Sequence, residues 1–196
     1  MFSFQVGNTS VHLLPILVWV AVILIVLVVS AFNKKRQIDS MAKLCQNGEY
    51  EKSILLANKL LVSFTRSYKL YCGKNVGLNI ERFHIWLAIS YLGLSNYDLF
   101  WEHINQVEQQ KNIADTWIAA YYILQKDLEQ MKHYEEKIEA TDQTENTRTL
   151  LLGVILCEEG KTNEGKEILS ALLPKINFAL TKQIVLSTFF FLTSDS

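Results

Sequence analysis

The stretch WLAISYLGLSNYDLFWEHINQV, Trp86–Val107, decides how the rest of the chain is read. Leu87, Ala88 and Tyr91 recur at helical spacing and Gly93–Asn96 interrupts them. A second apolar helical pattern opens at Tyr97. A 3.6-residue rhythm on both sides of a short polar break means two helices folded back on one another. Each must bury one apolar stripe against a neighbour.

The same grammar returns elsewhere. LLGVILCEEGKTNEGKEILSALL carries Leu152-Gly153 and then Leu156, a break near Gly160-Lys161, and a second helix to Leu173. Leu87 and Leu152 lie 65 residues apart, about twice a 33-residue period. A third unit fits midway, with Trp117, Ala120-Tyr121 and Leu124 followed by DLEQMKHYEEKIEA. Upstream, Asn47-Gly48 is a turn signal, and Tyr50, Ile54, Ala57, Leu61 and Phe64 draw an apolar stripe along the next helix. The surplus length between that unit and the next falls in RSYKLYCGKNVGLN, which reads as an inserted loop at about residues 66–80.

The Leu-small pair followed by a large apolar residue, in Leu87-Ala88-Tyr91 and Leu152-Gly153-Leu156, resembles tetratricopeptide repeats, as does the turn Gly48-Glu49-Tyr50. The likeness covers most of Asp39–Leu173. It departs from the family pattern at Phe100, where a small residue is usual, and at Thr162, where an aromatic is usual. The resemblance implies an all-α fold in which helical hairpins form an α-solenoid with a concave groove for a protein partner.

Leu13–Phe32 is a run of twenty residues interrupted only by Pro15 and Ser30, long enough as a helix (roughly 30 Å) to cross a bilayer. Pro15 stands in the first turn, where its missing N–H costs nothing. Val29 and Ala31 have the small side chains of a signal-peptidase site. No basic region precedes the run, however, its length exceeds that of a signal peptide, and Lys34, Lys35 and Arg36 follow at once. The reading is therefore an uncut anchor. Residues 1–12 form a short non-cytoplasmic N-terminus, 13–32 the transmembrane helix, and 33–38 a basic juxtamembrane segment. Residues 39–173 are the repeats, and 174–196 are a capping helix and tail. Trp19 within the span and Lys34, Lys35 and Arg36 behind it are the anchor and orientation residues. The membrane expected is a bacterial inner membrane, with the C-terminal domain on its cytoplasmic side.

Charge is partitioned along the chain. Residues 1–33 carry none, Lys34–Arg82 holds ten Lys and Arg against four Asp and Glu, and Asp98–Glu167 holds seven against fifteen. The formal net charge of −1 gives no sign of a nucleic-acid binder, and no nucleic-acid partner is expected. Cys45, Cys72 and Cys157 are odd in number and widely spaced, unlike a disulfide framework or a metal site.

No sequence motif for phosphate, nucleophilic or zinc chemistry is present. His84 shares a face with Leu87 and Tyr91 and reads as structural, and a pairing of His103 with Cys72 is open. Glu135-Glu136 and Glu158-Glu159 diverge by about 100° on a helix and read as solvated faces. Neither cofactor, metal nor catalytic residue is expected. The expectation is a non-enzymatic scaffold that binds protein through Trp101, Trp117, Tyr121 and Tyr122, drawn from an aromatic-rich stretch that also holds Trp86, Tyr91, Tyr97 and Phe100. The acidic bias around them favours a basic partner. The alternative is a small structural subunit of a membrane complex, with Leu13–Phe32 and the apolar Phe189–Leu192 as permanent contacts.

Overall fold

The computed structural model describes the backbone of residues 3–6, 9–71 and 74–194, and the side chains of residues 17–66 and 80–189. The described chain is helical apart from one antiparallel pair, β1 (Ser3–Val6) and β2 (Thr9–His12), in which Ser3 faces His12 and Val6 faces Thr9. β1 alternates polar and apolar residues, a period-2 pattern that an all-helical expectation passes over.

Two compact units follow from the contacts, residues 1–40 and 41–196. α1 (Leu13–Gln46) belongs to both. It does not stop at Phe32 as expected: the basic segment 33–38 continues the helix, since Lys, Arg and Gln are good helix formers and no Gly or Pro occurs between Phe32 and Gly48. It is the one helix among the described residues long and apolar enough to cross a membrane, and none of that apolar stretch is buried by protein. Trp19 is 68% exposed on it.

The second unit continues with α2 (Tyr50–Tyr71), α3 (Lys74–Gly93), α4 (Tyr97–Ile104), α5 (Lys111–Gln125), α6 (Leu128–Lys137), α7 (Glu145–Glu158), α8 (Thr162–Leu172), a 3-10 turn at Leu173–Lys175 and α9 (Ala179–Ser194). The loop expected at about 66–80 is corrected: helix runs to Tyr71 and resumes at Lys74, and residues 72 and 73 lie outside the described residues. Gly77, within the stretch expected as a loop, sits inside α3. The surplus length lengthens two helices instead of making a loop.

Four turns share one geometry. Gly48, Ser95, Lys126 and Gly160 have φ of 81°, 57°, 55° and 85°, and each precedes the next helix by two residues. In the first, the Gly48 N–H donates to the Cys45 carbonyl (3.1 Å) and the Glu49 N–H to the Leu44 carbonyl (2.9 Å). Asn96 N–H to Tyr91, Asp127 N–H to Tyr122 and Lys161 N–H to Leu156 repeat that longer bond at 2.9, 3.1 and 2.9 Å. This is the Schellman helix ending, whose paired bonds satisfy the last carbonyls of one helix while a left-handed residue reverses the chain. The intervals between these residues are 47, 31 and 34, so the repeat is not a uniform 33.

Around each turn the same positions face inward. Seven residues before the left-handed residue and five after it stand Met41 and Ser53, Ala88 and Phe100, Ala119 and Met131, Gly153 and Gly165, all buried. The pairs trade volume, a large residue meeting a small one except in the last, where two glycines meet. A Cβ on Gly165 would lie 2.6 Å from the Gly153 carbonyl oxygen. Ser53 Oγ lies 3.4 Å from the Met41 carbonyl in the first hairpin. Two expected registers move by one residue. Among the described residues of α2 the buried positions are Ser53, Ala57 and Leu60, and on α5 they include Ala119, Ala120 and Ile123.

Polar side chains fasten helices within a hairpin and between neighbouring hairpins. The buried Glu81 carboxylate of α3 accepts the Gln109 and Gln110 N–H groups (3.0–3.1 Å), capping the start of α5 from a distance. Lys137 of α6 pairs with buried Asp115 of α5 at 2.9 Å, and Arg148 of α7 with Glu135 of α6 at 3.1 Å.

Candidate functional site

Three of the four aromatic residues expected to bind a partner converge. Trp101 on α4 and Tyr121 on α5 meet edge to face at 5.3 Å, and Tyr121 meets Tyr122 at 5.2 Å. Trp101 and Tyr122 lie 6.4 Å apart. Buried Phe100 stacks beneath Tyr121 at 5.6 Å, and Tyr97 closes on it at 5.3 Å. On the other side Tyr134 of α6 stacks on Tyr122 at 5.6 Å, with Lys137 Nζ 4.6 Å above its ring. Such offset and edge-on pairs hold ring positions more firmly than their area alone would.

Tyr97, Trp101, Tyr121, Tyr122 and Tyr134 are all half-buried, so the cluster both joins two hairpins and presents one aromatic surface. Phe100 supplies the buried floor because α4 starts at a fixed place: the Asn96 side chain accepts the Leu99 N–H at 3.3 Å as its cap. Desolvation raises the Tyr122 pKa, with Tyr134, Tyr121 and Asp127 adding to it, so its hydroxyl stays neutral. Burial opposes the charge of Lys137, but its hydrogen bond to Asp115 and the neighbouring Tyr134 outweigh this and hold its pKa above the ordinary range. Asp98, Glu102 and Glu129 stand exposed on the same helices α4 and α6.

Trp117 is not part of this cluster. It meets Phe178, which precedes α9, at 5.0 Å, and Phe178 also stacks on Trp86 of α3 at 5.9 Å. Trp117 and Phe178 border a cleft of about 230 Å³ with Gln46, Asn146, Lys175 and Thr181. The C-terminal helix therefore does more than close the last hairpin. It starts with Ala179 against Gly48 and buries Leu180, Ile184 and Val185, and Ile184 shares a cleft with Ile123 of α5 and Val154 of α7. Sequence reasoning missed Phe178 because its partners lie 61 and 92 residues upstream. The side chains of Phe190 to Leu192, expected as an apolar contact, lie outside the described residues.

Two histidines meet. His84 Nδ1 and His103 Nδ1 are 3.1 Å apart, and Tyr91 stacks on His103 at 5.5 Å. The ring centroids are 5.3 Å apart, close to the nitrogen separation plus two ring radii, so the rings lie end to end. The nitrogens face one another in an N–H···N bond and do not converge on a common third point. Burial lowers both pKa values, and the charge of His103 lowers that of His84 further, while Glu102 acts against the shift at both and Glu81 at His84. Both imidazoles are thereby kept neutral, one donating and one accepting. Cys72, the other candidate for this neighbourhood, lies outside the described residues. Among the described residues no group of three metal-ligating side chains converges.

Lys34, Lys35 and Arg36 lie on α1 just after its apolar stretch, the last two exposed. Compared with protein-family models, with curated proteins and with solved structures, the chain matches none.

Proposed function

We propose that the chain is a membrane-anchored scaffold that holds a protein partner at the cytoplasmic face of a bacterial inner membrane. Its four hairpins are read as degenerate tetratricopeptide-like repeats arranged as a short solenoid. The observation that carries the proposal is the partly buried aromatic cluster of Tyr97, Trp101, Tyr121, Tyr122 and Tyr134, in an acidic stretch of the chain. Tyrosine and tryptophan offer large contact area at little entropic cost, and they dominate binding hot spots. A partner with exposed Arg or Lys suits both the ring faces and the surrounding carboxylates. The orientation rests on Lys34, Lys35 and Arg36, which follow the apolar stretch, while residues 1–12 hold no Lys, Arg, Asp or Glu.

The test is mass spectrometry of what co-purifies with the tagged full-length protein from membranes in mild detergent, compared with a Tyr122→Ala/Tyr134→Ala variant. These two rings lie away from buried Phe100, so the variant keeps its floor and its melting temperature reports folding. A stoichiometric partner present with the native protein and lost with a folded variant is the expected outcome. The same partner retained by the variant removes the aromatic surface from the account.

A further inference from the structure

The cleft bordered by Trp117 and Phe178 combines two rings with a set of side-chain amides, all within the second unit. Gln46 ends α1, Gln143 and Asn146 flank the start of α7, and Asn177 stands between the 3-10 turn and α9, so distant parts of the chain bring amides to one space. None of these four side chains is hydrogen-bonded to another described residue. The carboxylates that dominate Asp98–Glu167 stay out of the cleft. Among the described residues that line it, Lys175 alone is charged, and it has no ion pair with another described residue.

A primary amide holds a carbonyl acceptor and an NH2 donor side by side, the complement of the N–H and C=O of a peptide backbone. The chain already uses that complementarity close by. Asn112 grasps one residue of its own backbone, accepting the Glu139 N–H at Oδ1 (3.0 Å) and donating from Nδ2 to the Glu139 carbonyl (3.3 Å), in the non-helical stretch between α6 and α7. Asn112 lines a neighbouring cleft of about 470 Å³, and Gln143 lines both.

We propose that the Trp117–Phe178 cleft binds an extended, acidic segment of another polypeptide. Gln46, Asn146 and Asn177 grasp its backbone as Asn112 grasps Glu139, and Lys175 pairs with one of its carboxylates. An extended segment is required, because a helix has already satisfied its N–H and C=O groups internally. The two rings, edge to face at 5.0 Å, offer apolar contact to a side chain of the segment. At about 230 Å³ the cleft is smaller than the roughly 300–1,000 Å³ of a drug-sized site, which suits a short piece of a longer chain. The aromatic surface around Tyr122 calls for a basic partner, so this is a second site with the opposite charge preference, and it does not depend on the first.

Full-length protein in mild detergent would be offered a bead-borne random library of heptapeptides with acetylated and amidated ends, and enriched sequences would be resynthesised with a fluorophore for anisotropy titration. Peptides carrying Asp or Glu are expected to bind native protein and Tyr122→Ala/Tyr134→Ala alike, and Asn146→Ala/Asn177→Ala about tenfold more weakly. Both asparagines are exposed, so the variant should keep its native melting temperature. Methylating the peptide's backbone nitrogens one at a time should cause a similar loss at the grasped residue, which contact through side chains alone would not. Lys175→Gln, a second exposed substitution, should erase the preference for Glu over Gln in the peptide. Three results overturn the proposal: no peptide enriched over bare beads, enriched peptides that bind the asparagine variant as tightly as native protein, or affinity indifferent to every backbone methylation.

Discussion

The hairpins α3–α4 and α7–α8 reverse the chain with the same hydrogen bonds, yet they are made from opposite materials. The first uses Ser95 in the left-handed conformation, an Asn96 cap, and Ala88 against Phe100. The second uses Gly160, no capping side chain, and Gly153 against Gly165. One hairpin holds its helices apart with a ring that also floors the aromatic surface, and the other brings them into backbone contact. Equal turn geometry thus does not require equal residues; the summed volume of the inner pair sets how closely the two helices approach.

Breaking the inner pair in each hairpin gives the largest contrast. Phe100→Ala leaves a cavity beneath Tyr121 and is expected to cost about 3–5 kcal/mol. Gly165→Ala is expected to cost about 1–3 kcal/mol by the opposite route, because its Cβ would sit 2.4 Å from Cys157 Sγ as well as against the Gly153 carbonyl. Urea unfolding of both variants checks this. If Gly165→Ala proves neutral, the close helix approach in the second hairpin is wrong.

The turn residues offer a smaller effect of opposite sign. At Gly160 an added Cβ meets nothing within 4 Å, so Gly160→Ala isolates the backbone term and should destabilise by about 1 kcal/mol. Ser95→Gly should stabilise by about 0.5–1 kcal/mol once the greater unfolded-state freedom of glycine is subtracted. Melting temperatures moving in the same direction for both would contradict a shared turn.

The smallest effect is confined to weakly acid pH and to the first hairpin, which alone contains the His84–His103 pair. Their folded pKa values are lowered by burial, so the unfolded chain binds protons first as pH falls. The contribution is complete above the unfolded value of about 6.5, declines as pH drops through it, and levels off below the folded values. Native protein should therefore lose more melting temperature between pH 7.5 and 5.5 than His103→Gln. Parallel losses would take the pair out of the account.

The two hairpins also differed in how far they could be read in advance. Gly48 and Gly160 announce their turns, because glycine accepts a left-handed φ without strain. Ser95 and Lys126 adopt the same conformation with no such signal, since capping by Asn96 and Asp127 offsets the strain. Register was legible only to within one residue on α2 and α5, because Ser53 and Ala119 are inside for their small size and not for their apolarity. Trp101, Tyr121 and Tyr122 were legible as candidates by residue type, and adjacent helices brought them together. Trp117 was misplaced because Phe178, its partner, comes from the far end of the chain. His84 and His103 lie almost symmetrically about the Ser95 turn, a relation visible only once the turn is placed.

That far end has a mechanical meaning. Linear arrays of hairpins unfold a unit at a time, since each touches only its neighbours. Here Ala179 rests on the first turn, Phe178 sits between Trp86 and Trp117, and Ile184 reaches α5 and α7. One short segment is tied to all four hairpins like a lashing across a stack of logs, so none can peel away alone and the second unit opens as a single body.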